Sequence, residues 1–197
     1  MQLNTLPLTS NSSLVELQRP KKLSLQEFEQ LPVTPKEMSI RNQIYALEEY
    51  MYGLEDSMDT EEMEEAGLKP THRFVNGLYH RELFIPPDKV IMGKRHATEH
   101  IVMLIQGKCW CVTERGKEYM VAPMTFISPA GEKRVVITEP GGEGCTWVTV
   151  HPTTKTDLKD IEDEVIIAEP GRKAHYDALH ATAKIQASER LKEIQNV

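Results

Sequence analysis

Long apolar runs are absent from this sequence. The longest, Ile101 to Ile105, falls far short of the roughly 20 residues a membrane-spanning helix requires. A basic start followed by an apolar stretch of signal-peptide length is also missing from the opening MQLNTLPLTSNSS. The expectation is therefore a protein of the cytoplasm of the cell that makes it, with no membrane partner. A surplus of basic charge is lacking too: 23 Lys and Arg stand against 30 Asp and Glu, a net charge of -7. A general phosphate-backbone binder needs the opposite balance, so nucleic acid is not an expected partner. Cysteine is scarce. Cys109, Cys111 and Cys145 are an odd number and too few for a disulfide scaffold. Cys109 and Cys111 sit two apart on one face of a strand and read as reduced core thiols. The sequence has no G-x-S-x-G, P-loop, paired G-x-G-x-x-G or zinc-type CxxC pair, and no repeat of 20 to 50 residues. Classical hydrolase, nucleotide-binding and zinc-finger readings lack their starting material.

What is present suffices for a core. The chain has 197 residues, of which 40% are hydrophobic, enough for one ordinary domain with terminal extensions. Residues 1–36 are polar, carry Pro7, Pro20, Pro32 and Pro35, and read as an extended arm with a helical turn near Leu25 to Gln30. Residues 37–70 read as a helix, striped by Ile40, Ile44, Leu47 and Met51, and an acidic linker. Nine acidic and no basic residues lie between Glu48 and Glu65, which predicts a solvated face.

From 71 to 153 the texture changes to short strands. They are separated by Asn76-Gly77, Gly107, Glu114-Arg115-Gly116, Ala130-Gly131 and Pro140-Gly141-Gly142. The spacing predicts a mainly β fold, an antiparallel sandwich or barrel. Alternation selects Ile101, Met103, Ile105, Cys109, Cys111, Phe126, Val136, Trp147 and Thr149 as its core. Residues 154–197 return to a helical period: one helix at Thr156 to Glu164, a break at Pro170-Gly171, and a second helix at Ala174 to Ile194. The second has a weak apolar face, the kind that packs on a neighbour's surface. His175 and His180 on it read as solvated, and His72, His80 and His151 read as hydrogen-bonded strand residues.

The dense cluster of ligand-type residues is His96-Ala97-Thr98-Glu99-His100. One reading is the HxxEH pattern of inverted-motif zinc peptidases, which needs both histidines on one helical face. Strand texture and the β-branched Ile101 and Val102 oppose a helix there.

A second reading covers roughly Phe74 to Val150. Pro86-Pro87-Asp88 forms a turn, five residues separate it from Lys94, and His96, His100 and Gly107 follow at fixed intervals. Pro129-Ala130-Gly131 then precedes Arg134. This spacing resembles the two motifs of the cupin superfamily, in which Lys94, His96, His100 and Arg134 fall at the metal-ligand positions. The resemblance implies a single cupin-type antiparallel β-barrel, a jelly roll with a pocket between two sheets.

Lys94 and Arg134 cannot ligate while protonated, so the resemblance implies an eroded metal site and no cofactor in the usual arrangement. A divalent transition metal on His96 and His100 is the alternative. Glu99 lies one residue out of register and is expected to face the other side of the strand. Lys94, His96, His100 and Arg134 together would make a cationic pocket for a small anion or a sugar.

The segments Gly77 to Glu82, Thr98 to His100, Ala122 to Pro129 and Trp147 to Thr153 are similar to cupin-like proteins encoded by tailed bacteriophages. That resemblance implies a phage origin. The resulting expectation is a non-enzymatic structural or accessory virion module without catalytic residues. It would be a homo-oligomer, with other virion proteins contacted through the arm and the C-terminal helix. A cupin enzyme, or an anion- or sugar-binding module using the barrel pocket, is the alternative.

Overall fold

The structure, a computed structural model, describes residues 22–195. Most of the expected arm, residues 1–21, lies outside the described residues. The elements are α1 (Leu25–Glu29), α2 (Pro35–Tyr52), α3 (Thr60–Glu65), β1 (Thr71–Val75), β2 (Leu78–Ile85), β3 (Val90–Met92), β4 (His100–Thr113), β5 (Gly116–Val121), β6 (Met124–Ser128), β7 (Arg134–Ile137), β8 (Cys145–Pro152), α4 (Leu158–Val165) and α5 (Pro170–Gln195). The fold is mainly β, an antiparallel sheet curled into a barrel, with helices at both ends. Strand order is β1-β2-β8-β4-β7-β3, with β5 and β6 also pairing β4. No helix among the described residues is long and apolar enough to cross a membrane.

Local chemistry sets the helix starts. Ser24, Thr34 and Asp59 each cap a helix and receive the reciprocal bond from Glu27, Glu37 and Glu62. Pro35 opens α2 at a position whose N–H has no helical partner. The same preference explains α5. The break expected at Pro170-Gly171 is instead the first turn of one helix, since proline is tolerated there.

Strand β4 departs from expectation more informatively. Two strands separated by Gly107 were expected, and one continuous strand is found. Its first part pairs with β6 and β8, and its second part with β5 and β7. The register slips between Leu104 and Gln106, and a bulge of this kind reverses which alternate residues face inward. Val102 and Leu104 are therefore fully buried, while Ile101 and Ile105 are 44% and 49% exposed. Beyond the slip the odd positions face inward, and Cys109 and Cys111 are buried as free thiols. The core joins them to Leu83, Ile85, Met120, Val136, Cys145 and Trp147. Gly107 marks the slip with φ 77°, and a Cβ there would lie 1.9 Å from the carbonyl oxygen of Gly144. No side chain fits.

The N-terminal helices dock on the barrel through buried charge. Arg95, only 1% exposed, lies 4.0 Å from the Phe28 ring centroid and donates to Glu114 at 2.8 Å. Lys133 on the barrel donates to Glu48 of α2 at 2.7 Å, both buried. The acidic stretch is thus not simply solvated. Helix α5 covers part of it: Tyr176 stacks on Tyr52 at 4.9 Å, and Arg190 pairs with Glu55. His180, expected in solvent, is buried, with Nε2 2.8 Å from Glu62 and Nδ1 3.0 Å from Ser57.

Candidate metal centre

The inner face of the sheet brings three histidines together. Residues paired across antiparallel strands present their side chains to one face. His151 on β8 pairs with Tyr79 on β2, and His100 on β4 pairs with Ser128 on β6. Because Ile101 pairs with Val150, His100 and His151 fall in the same cross-strand row. His96 precedes β4 and is held by a bridge to Ile166 and by the amide of Gly131 donating to its carbonyl at 2.8 Å. The ring centroids lie 4.2 Å apart for His96 and His100, 4.8 Å for His96 and His151, and 4.4 Å for His100 and His151. One nitrogen from each ring lies within 4.8 Å of the other two.

The protonation state suits ligation. Nδ1 of His100 lies 3.1 Å from the carbonyl oxygen of Thr98, so Nδ1 carries the proton and Nε2 keeps its lone pair. That Nε2, and Nδ1 of His151, are buried without a hydrogen-bond partner. Burial pushes His100 down to about 4, against a smaller upward pull from the Thr98 carbonyl, with Arg134 adding to the fall. Burial, then His100 and Arg81, pushes His151 down to about 3. His96 is held well below its usual value by burial first and by the neighbouring histidines and arginines after it. All three are neutral near pH 7, the form that binds metals. Buried imidazole nitrogens without a hydrogen-bond partner are costly, and a metal ion held by the cluster would satisfy them.

The sequence-derived site is rearranged. Lys94 does not join the histidines: its side chain is 49% exposed and pairs with Glu162 of α4 at 2.5 Å. No strand runs through residues 93–99, so the alternation of β4 does not extend back to Lys94. Arg134 does lie inside. It donates to Glu132 at 2.7 Å and Ser128 at 2.8 Å, and sits 5.4 Å from the ring centroids of both Phe126 and Trp147. With Lys94 outside, Arg134 neutralised by Glu132 and the histidines uncharged, the four do not form the expected cationic pocket. Glu99 is exposed, whereas His100 beside it is buried.

His151 is the residue that sequence reasoning passed over. The alternation Cys145, Trp147, Thr149, His151 placed it on the inner face, but only the β4–β8 register sets it beside His100. A cavity of about 600 Å³ opens elsewhere in the barrel along Cys111, Met120, Phe126, Glu132 and Arg134, and none of the three histidines lines it. A second cluster, Asp59, Glu62 and His180, is accounted for by a helix cap and by Lys184, 3.2 Å from Glu62.

No protein-family model matches the sequence, and no curated protein matches it. Solved structures do. A cupin 2 conserved barrel domain protein from Salinispora arenicola is 13% identical, with 55% of this chain and 96% of that one covered, at a TM-score of 0.38. A cupin-2 domain containing protein from Shewanella frigidimarina is 11% identical over 49% and 94%, at 0.36. The polyketide cyclase RemF from Streptomyces resistomycificus is 20% identical over 47% and 76%, at 0.37. These partial likenesses say nothing about the site, and nothing in them bears on a phage origin or a virion role.

Proposed function

We propose that the protein holds one divalent transition metal on His96, His100 and His151 and is an enzyme acting on a small molecule at that centre. The carrying observation is that His96, His100 and His151 each bring a ring nitrogen within 4.8 Å of the other two, in a cluster where His100 Nε2 and His151 Nδ1 are buried without a hydrogen-bond partner. Imidazole donors suit zinc, iron, copper and nickel. Three protein ligands are the pattern of a centre that keeps a position for water or substrate and supplies a Lewis acid there.

The chain's own residues prepare the site. The Thr98 carbonyl fixes the tautomer of His100. Tyr79, 6.1 Å from His151 between ring centroids, supports that ring from the side. Helix α4 covers Tyr79 with Ile161 and Val165 and limits water. The assembly role expected from the arm gains no supporting observation among the described residues.

The test is elemental analysis of the purified full chain beside its histidine variants. About one zinc, iron, nickel or copper per chain is expected, lost in His100→Ala and His151→Ala and kept in Glu99→Ala. Should a buried alanine variant not fold, His151→Gln serves in its place. A metal-free protein that takes up none of these ions on dialysis would overturn the reading.

A further inference from the structure

Arg81 of β2 lies one row from the histidines. The pairs Arg81–Thr149, Thr149–Val102 and Val102–Phe126 form a row across β2, β8, β4 and β6. Two residues further along each strand lies the row of Tyr79, His151, His100 and Ser128. Both rows therefore face the same side. On β2 that face continues through Leu83 and Ile85, which are buried in the barrel core. Arg81 is the member of the face that solvent partly reaches.

Its guanidinium has five donors and no hydrogen bond, ion pair or ring contact among the described residues. Every other described arginine holds a carboxylate within 4.0 Å. Glu64 and Glu162 act on Arg81 only from farther off. Its charge also bears on His96 and His151. A half-buried cation beside a divalent centre repels it unless an anion lies between them.

We infer that Arg81 is a substrate anchor: its planar fork binds the carboxylate of a small organic acid lying beside the three-histidine centre. The assignment rests on the metal-centre reading for the identity of that bound molecule as substrate. A carboxylate matches one free guanidinium in both charge and shape. A phosphate dianion would call for a second free cation, and the nearby Lys94 is engaged by Glu162.

The test uses the full chain, labelled at its arginine side chains, titrated with acetate at constant ionic strength in metal-free and cobalt-loaded forms. Inorganic phosphate is a parallel arm. The Arg81 Nε–H signal, identified by its loss in Arg81→Lys, is expected to shift saturably with acetate. Arg81→Gln should weaken acetate binding about tenfold or more and leave cobalt uptake unchanged. If Arg81→Gln does not fold, Arg81→Lys, which keeps the charge and loses the fork, should weaken acetate binding severalfold. An unmoved Arg81 signal, acetate binding independent of the residue, phosphate binding as tight as acetate, or cobalt uptake lost with Arg81 would each overturn the assignment. Failure of the metal reading shows separately: cobalt is then not taken up at all, while acetate binding at Arg81 is still read in the metal-free protein.

Discussion

At the residue scale the chemistry turns on histidines held neutral by burial. Their folded-state values lie below the unfolded one, so between about pH 6.5 and pH 4 the unfolded chain binds protons that the native chain refuses. Stability of the metal-free protein is therefore full above about pH 6.5 and falls as pH drops. The His100 contribution to that fall is roughly 3 kcal/mol by pH 4. Denaturant midpoints across this range should show the slope, and His151→Phe, which cannot titrate, should flatten it. A slope unchanged by the substitution would contradict the assignment. Residue chemistry also separates what the sequence could and could not reveal. His96 and His100 were legible because they fall at motif spacings. Lys94 fits the same spacing and misses the site, because the segment before β4 does not alternate. His151 and Arg81 lie far from the motif in the chain, and only strand pairing brings them to it.

At the scale of elements, β4 shows why a correct strand can carry a wrong face. Alternation read through the whole strand selects Ile101 and Ile105, yet the slip near Gly107 puts Val102 and Leu104 inside instead. The hairpin at Asn76-Gly77 and the helical turn near Leu25 were readable because their signals are local, whereas the caps at Ser24 and Thr34 were not read from the sequence. The slip depends on which partners each half of β4 meets, and that information is not local. Gly107→Ala should cost about 3 kcal/mol or more, from an unfavourable positive φ and collision with the backbone of Gly144. Gly171→Ala, in open space on the first turn of α5, should be neutral or stabilise by about 0.5 kcal/mol. Equal effects of the two in thermal unfolding would contradict the role given to Gly107.

At the scale of the whole molecule, the helices and barrel are joined by buried ion pairs as well as apolar contacts. Lys133→Met leaves the buried Glu48 carboxylate without its partner and should destabilise by about 3 kcal/mol. The double variant with Glu48→Gln should recover most of that loss. Denaturant unfolding of the three variants measures the coupling, and additive losses would show that the pair acts through something else. The same helical cover bears on the candidate centre, because α4 closes over Tyr79 and meets His96 through Ile166. The barrel thus supplies His100 and His151 from its strands, and the segment locked by α4 supplies His96.

The most direct measurement of the central claim is a cobalt(II) titration of the metal-free full chain followed by visible absorption. Saturation at about one ion per chain is expected, with bands of a low-coordinate nitrogen-ligand site that are absent in His151→Ala. No saturable uptake, or an identical spectrum in that variant, would contradict a three-histidine centre.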